Sequence, residues 1–185
     1  RLHSDIDVLL LDNLPQEDKA FLELIRKCVQ LFPAIKIIVL SVTENLELAA
    51  KSIDEGARGY VSKALGMADI CNGIRKVCNY PKLNIIELPN PEVPDYEAEE
   101  VRKLITAREK QVIALMVKGF TSDEIAILLE KINKKPIQTS TIEKHRANIR
   151  KKLRIYGVTN DASLGYKVAQ WNLLDGNELS SSDDE

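Results

Sequence analysis

Three polar residues close three of the most apolar stretches in the first half of the chain. Asp12 ends VLLLD, Ser41 ends IKIIVLS, and Lys63 follows GYVS. An acid, a hydroxyl and an amine at neighbouring strand tips make a site for a phosphoryl group. The carboxylate would be the nucleophile, and the amine and hydroxyl would hold the added oxygens through charge-assisted hydrogen bonds. A second chemistry-bearing set lies in STIEKHRANIRKKL, which carries Thr141, Lys144, His145, Arg146, Asn148, Lys151 and Lys152. A helix this rich in cations suits a polyanion, and Arg and Asn offer donor patterns that match guanine and adenine edges. His145 reads as a packing or phosphate contact. The two histidines are far apart and Cys28, Cys71 and Cys78 do not cluster, so no zinc site and no histidine-based triad is expected. No GxxxxGK[ST] loop occurs either. No catalytic residue and no metal ligand is assigned.

The charge is distributed as this division requires. The 185 residues carry a net −2. Residues 1–100 contribute −6, residues 101–175 contribute +8, and residues 176–185 contribute −4. A basic block inside an acidic chain points to a polyanionic partner for that block. No apolar run is long enough to span a bilayer and no secretory signal is read. Three unpaired cysteines fit a reducing compartment. The expectation is a cytoplasmic protein with no membrane partner.

The elements that must position these residues alternate. Val8–Asp12, Ile35–Ser41 and Gly59–Ser62 read as buried parallel strands. Phe21, Leu24, Ile25, Cys28, Val29 and Phe32 mark an amphipathic helix, Leu46–Glu55 a second one stopped by Gly56, and Met67–Cys78 a third. Strand–helix alternation predicts a doubly wound parallel sheet, with ligands beyond the C-terminal strand ends. Residues 81–100 (PKLNIIELPNPEVPDYEAEE) carry four of the seven prolines and read as an acidic linker. Within it, Leu83–Leu88 is apolar and is open to packing on either side.

Beyond the linker, three S/T-x-x-E capping boxes are expected to start helices: Thr106 with Glu109, Thr121 with Glu124, and Ser140 with Glu143. Gly119 ends the first of these helices. A last helix is predicted over Asp161–Leu174. The stretch from Leu129 to Ile137 is longer than a tight turn requires. Either the helix before it runs on by a turn or a basic loop presents Lys131, Lys134 and Lys135 to phosphate.

Two family resemblances follow from these motifs. DVLLLD, IIVLS and GARGYVSK resemble the receiver domain of bacterial response regulators. The resemblance implies that Asp12 is the phosphoacceptor and Ser41, Tyr60 and Lys63 are the switch residues. It also implies that the chain starts at the family's third strand, leaving a sheet edge exposed. Pro15 follows Asp12 one residue earlier than in the family pattern. Mg²⁺ is implied only if an acidic pair comes from a missing N-terminal segment. TAREKQVIALMVKG, SDEIA and TIEKHRANIRKKL resemble the LuxR-type helix-turn-helix of NarL/FixJ-class regulators. This implies a recognition helix at residues 141–153, a homodimer contact around Asp161 to Lys167, double-stranded DNA as partner and a sensor histidine kinase upstream.

The expected architecture is α/β plus all-α. It comprises a partial doubly wound receiver-like sheet (1–80), the linker (81–100), a four-helix LuxR-type domain (101–175) and a disordered acidic tail (176–185). The expected function is a non-enzymatic, DNA-binding transcriptional regulator whose receiver state controls dimerisation and DNA binding. The alternatives are a phosphorylation-independent regulator whose receiver remnant is an interaction scaffold, and an enzyme built on the α/β half.

Overall fold

A computed structural model describes residues 6–13, 18–89 and 94–179. The loop around Pro15 lies outside the described residues. The chain divides into two compact units, residues 1–90 and 91–185.

In the first unit, β1 (Val8–Asn13), β2 (Lys36–Ser41), β3 (Gly59–Ser62) and β4 (Ile85–Glu87) form one parallel sheet in the order β1-β2-β3-β4. Helices α1 (Asp18–Leu31), α2 (Leu46–Asp54) and α3 (Met67–Asn79) connect them. Successive strand residues face opposite sides. Ile37, Val39, Tyr60 and Ile86 make one face, buried under α1 and α2. Ile38, Val61 and Ile85 make the other, packed on Val77 of α3. Gly56 ends α2 with φ of +105°, and a Cβ there would come within 3.0 Å of Val29. That close approach is why the stop residue is glycine.

Two features of the sheet lie beyond the local patterns. Leu83–Leu88 belongs to the first unit, supplying a fourth strand, so the structured part of this unit extends well past residue 80. Each connection also steps the chain one strand along the sheet in the same direction, yet α1 and α2 lie on one face and α3 on the other. The β3–α3–β4 connection therefore has the opposite hand to the two before it, an arrangement rare among parallel crossovers. The expected open edge is present: β1 has no outer partner among the described residues, and its Leu10, on the α3 side, is 44% exposed.

The second unit is helical. It comprises α4 (Asp95–Leu104), α5 (Ala107–Met116), α6 (Ser122–Asn133), α7 (Thr139–Leu153), a 3₁₀ turn (Arg154–Tyr156) and α8 (Asp161–Gln170). Helix α4 precedes the four helices of the expected domain, and its Ala98 and Val101 join the core formed by Val112, Ile125, Ile142, Ile149 and Trp171. The capping boxes at Thr106–Glu109 and Thr121–Glu124 are present, and a third joins Asn160 to Ser163. The box expected at Ser140–Glu143 is not formed. Helix α7 starts two residues earlier than that box allows, with Gln138 at the N-cap and no side-chain cap. The long α6–α7 connection resolves as a prolonged α6, ended by Lys134 in the left-handed region at φ 52°. The last helix stops at Gln170. The tail is partly folded: the Glu178 carboxylate accepts from the amides of Asp175 and Gly176, and Leu179 packs on the core. Residues 180–185 lie outside the described residues.

Candidate nucleic-acid interface

Helix α7 sorts its side chains by direction. Ile142, Ile149 and Leu153 are fully buried and fix which face points inward. Thr141, Lys144, Asn148 and Lys151 are all exposed. At about 100° per residue these four fall within about 80° of one another on the helix cylinder. They form a single polar ridge bearing two free-standing cations. Helices α5 and α6 pack behind it. Their two capping boxes satisfy the N-terminal amides that would otherwise fray. The arrangement holds a basic helix outward on an apolar base, as a groove-reading helix needs.

The other basic residues of α7 point elsewhere. Arg146 Nη2 lies 2.5 Å from one Asp161 carboxylate oxygen and Arg150 Nη2 lies 2.7 Å from the other. The Arg146 side chain is only 16% exposed, and its Nη1 also donates to Ser122 Oγ at 3.5 Å. It ties the start of α6 to the start of α8. Lys152 donates to Glu109 at 2.7 Å and to the Leu104 carbonyl at 3.1 Å. Glu109 is nearly buried. Burial opposes its charge, but the Lys152 ammonium and the Thr106 amide and hydroxyl outweigh this and hold its carboxyl below the ordinary value. Arg146 and Lys152, both expected on DNA, are thus taken up inside the fold. His145, half-buried, flanks the ridge on the Lys152 side.

Sequence reasoning missed the anchor, Asp161. Its signal was an acid in the first turn of a helix capped by Asn160. It also missed Glu97, which joins α4 to α8. Trp171 Nε1 donates to the Glu97 carboxylate at 2.9 Å, and Arg102 donates to the Trp171 carbonyl at 2.8 Å. Lys167, which the family resemblance placed at a dimer contact, lies 3.7 Å from Glu97 and 5.5 Å above the Trp171 ring. On α8 only Ala169 is exposed, and the other residues are buried or half-buried.

In the first unit Asp12 and Lys63 meet, with Oδ2 and Nζ 2.5 Å apart at a half-exposed strand end. No hydrogen bond among the described residues links Ser41 to either of them. The ladder sets Asp12 opposite Leu40 and Asn13 opposite Ser41, so the acid and the hydroxyl start on opposite faces. The Ser41 hydroxyl is buried and accepts from the Thr43 amide at 3.0 Å. Tyr60 is fully buried and its hydroxyl donates to the Thr43 carbonyl at 2.9 Å. Burial raises its pKa, against a smaller opposing effect from Ser41. Asn13, not anticipated, is buried, and neither of its amide atoms has a hydrogen-bond partner among the described residues. Among the described residues no three His, Cys, Asp or Glu side chains converge as metal ligands. No helix among the described residues is long and apolar enough to cross a membrane.

Residues 103–163 match the family model "Bacterial regulatory proteins, luxR family". The transcriptional regulatory protein MctR of Rhizobium johnstonii is 30% identical over 135 residues, 71% of this chain, and the chain spans only 57% of that protein's length. The response regulator UvrY of Escherichia coli K12 is 27% identical over 180 residues, 95% of this chain and 78% of UvrY. The response regulator VraR of Staphylococcus saprophyticus is 28% identical over 151 residues, 80% of this chain and 68% of VraR. A solved structure of the Salmonella typhimurium RcsB response regulator covers 89% of the chain and 76% of its own, at 23% identity. Its TM-score of 0.36 is too low to bear on function. The matched helix-turn-helix lies in the second unit, and the similarity to UvrY runs through both units, so the chain is similar over most of its length to LuxR-type response regulators.

Proposed function

We propose that the chain is a DNA-binding transcriptional regulator of the two-component type, with α7 as its recognition helix. The ridge of Thr141, Lys144, Asn148 and Lys151 carries this reading. It is the one basic surface of α7 not spent inside the fold, and the three core residues behind it fix its direction. Lys144 and Lys151 supply charge to phosphates, and Asn148 offers the paired acceptor and donor suited to an adenine edge. Binding of a mixed-sequence duplex, followed by fluorescence anisotropy at several salt concentrations, tests the reading. Affinity falls steeply as salt rises. The double variant Lys144→Ala/Lys151→Ala binds more weakly and with a shallower salt slope. An unchanged slope in that variant rejects α7 as the DNA-contacting helix.

In this reading the protein acts as a homodimer, and a phosphoryl group on Asp12, supplied by a sensor histidine kinase, sets the dimer state. A carboxylate oxygen attacks phosphorus as the bond to the donor's leaving group breaks, and Lys63 is in place to pair with the new phosphoryl oxygens. Covalent label from a small phosphodonor, lost in Asp12→Asn, supports this step. A second reading, a regulator indifferent to phosphorylation, draws on the Lys63 ammonium already closed on Asp12 and on the turned-away Ser41. Failure to label Asp12 with DNA binding intact selects it.

A further inference from the structure

Strand β4 is held on the first unit by contacts of several kinds. Its Ile85 and Ile86, with Leu88 just beyond, are each more than nine-tenths buried. Tyr60 and Val61 of β3 stand opposite Ile86 and Glu87 in the ladder. Lys76 of α3 lies 2.7 Å from Glu87. Arg58, at the foot of β3, donates to the carbonyls of Pro81 and Leu83, and its own carbonyl accepts from the Ile85 amide at 3.1 Å.

Three features set this strand apart from the rest of the sheet. It is only three residues long, and β3 is its one ladder neighbour. Its crossover has the disfavoured hand, so edge pairing rather than helix-on-sheet chirality puts it there. The chain then runs from it into PNPEVP and the helical unit. Its seat is also the strand that carries the buried Tyr60 and leads into Lys63, the partner of Asp12.

We propose that β4 is a releasable strap on the outer edge of β3. Docked, it leaves residues 89–94 as the connection between the units; released, it frees residues 80–94 and more than doubles the contour length of the connection. The Asp12–Lys63 pair acts on the strap through β3, the strand that Lys63 follows and on which β4 sits. That the second unit binds DNA is the reading above, and the strap matters to function only through it.

Amide hydrogen exchange on the full chain, read by mass spectrometry, tests the strap. Amides 85–88 should exchange through an opening separate from that of β2, about tenfold or more faster than amides 37–40. Arg58→Ala and Lys76→Glu should each speed amides 85–88 further while leaving amides 37–40 unchanged. Lys76→Glu reverses a half-exposed charge and keeps the test alive if Arg58→Ala does not fold. Asp12→Asn should shift exchange at 85–88 by severalfold. Exchange of 85–88 in step with β2 in every form overturns the strap, and exchange at 85–88 unaffected by Asp12→Asn overturns its coupling to that site. Duplex binding by the same samples separates the two readings. A chain that binds DNA in a salt-dependent way without strap opening loses only the strap, and one whose strap opens without any DNA binding loses only the recognition helix.

Discussion

Two arginines and two lysines on one helix have opposite fates, and the difference is angular. Lys144 and Lys151 stand on the outward ridge, whereas Arg146 and Arg150 share Asp161 on the other side of the buried stripe. Arg146→Ala should lower the stability of the helical unit by about 1–3 kcal/mol, since it strips a partly buried carboxylate of one charged partner. Urea unfolding checks this. Lys151→Ala, at an exposed position, should leave the unfolding midpoint nearly unchanged and weaken duplex binding instead. Glu109 adds a pH dependence. Its folded pKa lies below its ordinary value of about 4.5, so its contribution is complete above that value and is lost as pH falls through the folded pKa. Glu109→Gln should flatten the acid limb of a stability-against-pH curve measured between pH 6 and pH 3.

Among the elements, α6 shows how an insertion was accommodated. The additional residues lengthen the helix to Asn133, and the chain turns at Lys134 in the left-handed region. A non-glycine residue there costs on the order of 1 kcal/mol. Helix α4 depends on the opposite end of its unit: Glu97 accepts the Trp171 indole N–H and Arg102 holds the Trp171 carbonyl. Capping boxes at α5 and α6 were legible because S/T-x-x-E is a local rule. The box at Ser140 failed because α7 starts at Thr139, whose hydroxyl bonds Asp123 of α6 across the turn, a partner sixteen residues away.

Across the whole molecule, each unit has a hydrophobic core of its own. The chain's one tryptophan, Trp171, is fully buried in the helical unit. Urea unfolding followed by its fluorescence should report that unit alone, while far-ultraviolet circular dichroism reports both. The two curves should differ in midpoint. Coincident curves would mean that the units unfold as one.

What the sequence determined by itself is the set of elements with local rules. Continuous apolar runs placed β1–β3 and period-3.6 apolar patterns most of the helices, capping motifs placed two helix starts, and the +8 charge of residues 101–175 marked the basic unit. Only the tertiary structure decided which cations remain free, because pairing with Asp161 or Glu109 depends on helices brought together from distant parts of the chain. The same holds for Ser41, whose separation from Asp12 is a matter of ladder register. It holds also for β4: Leu83–Leu88 is apolar enough to pack on either unit, and its place was settled by an edge of β3 that no local pattern announces.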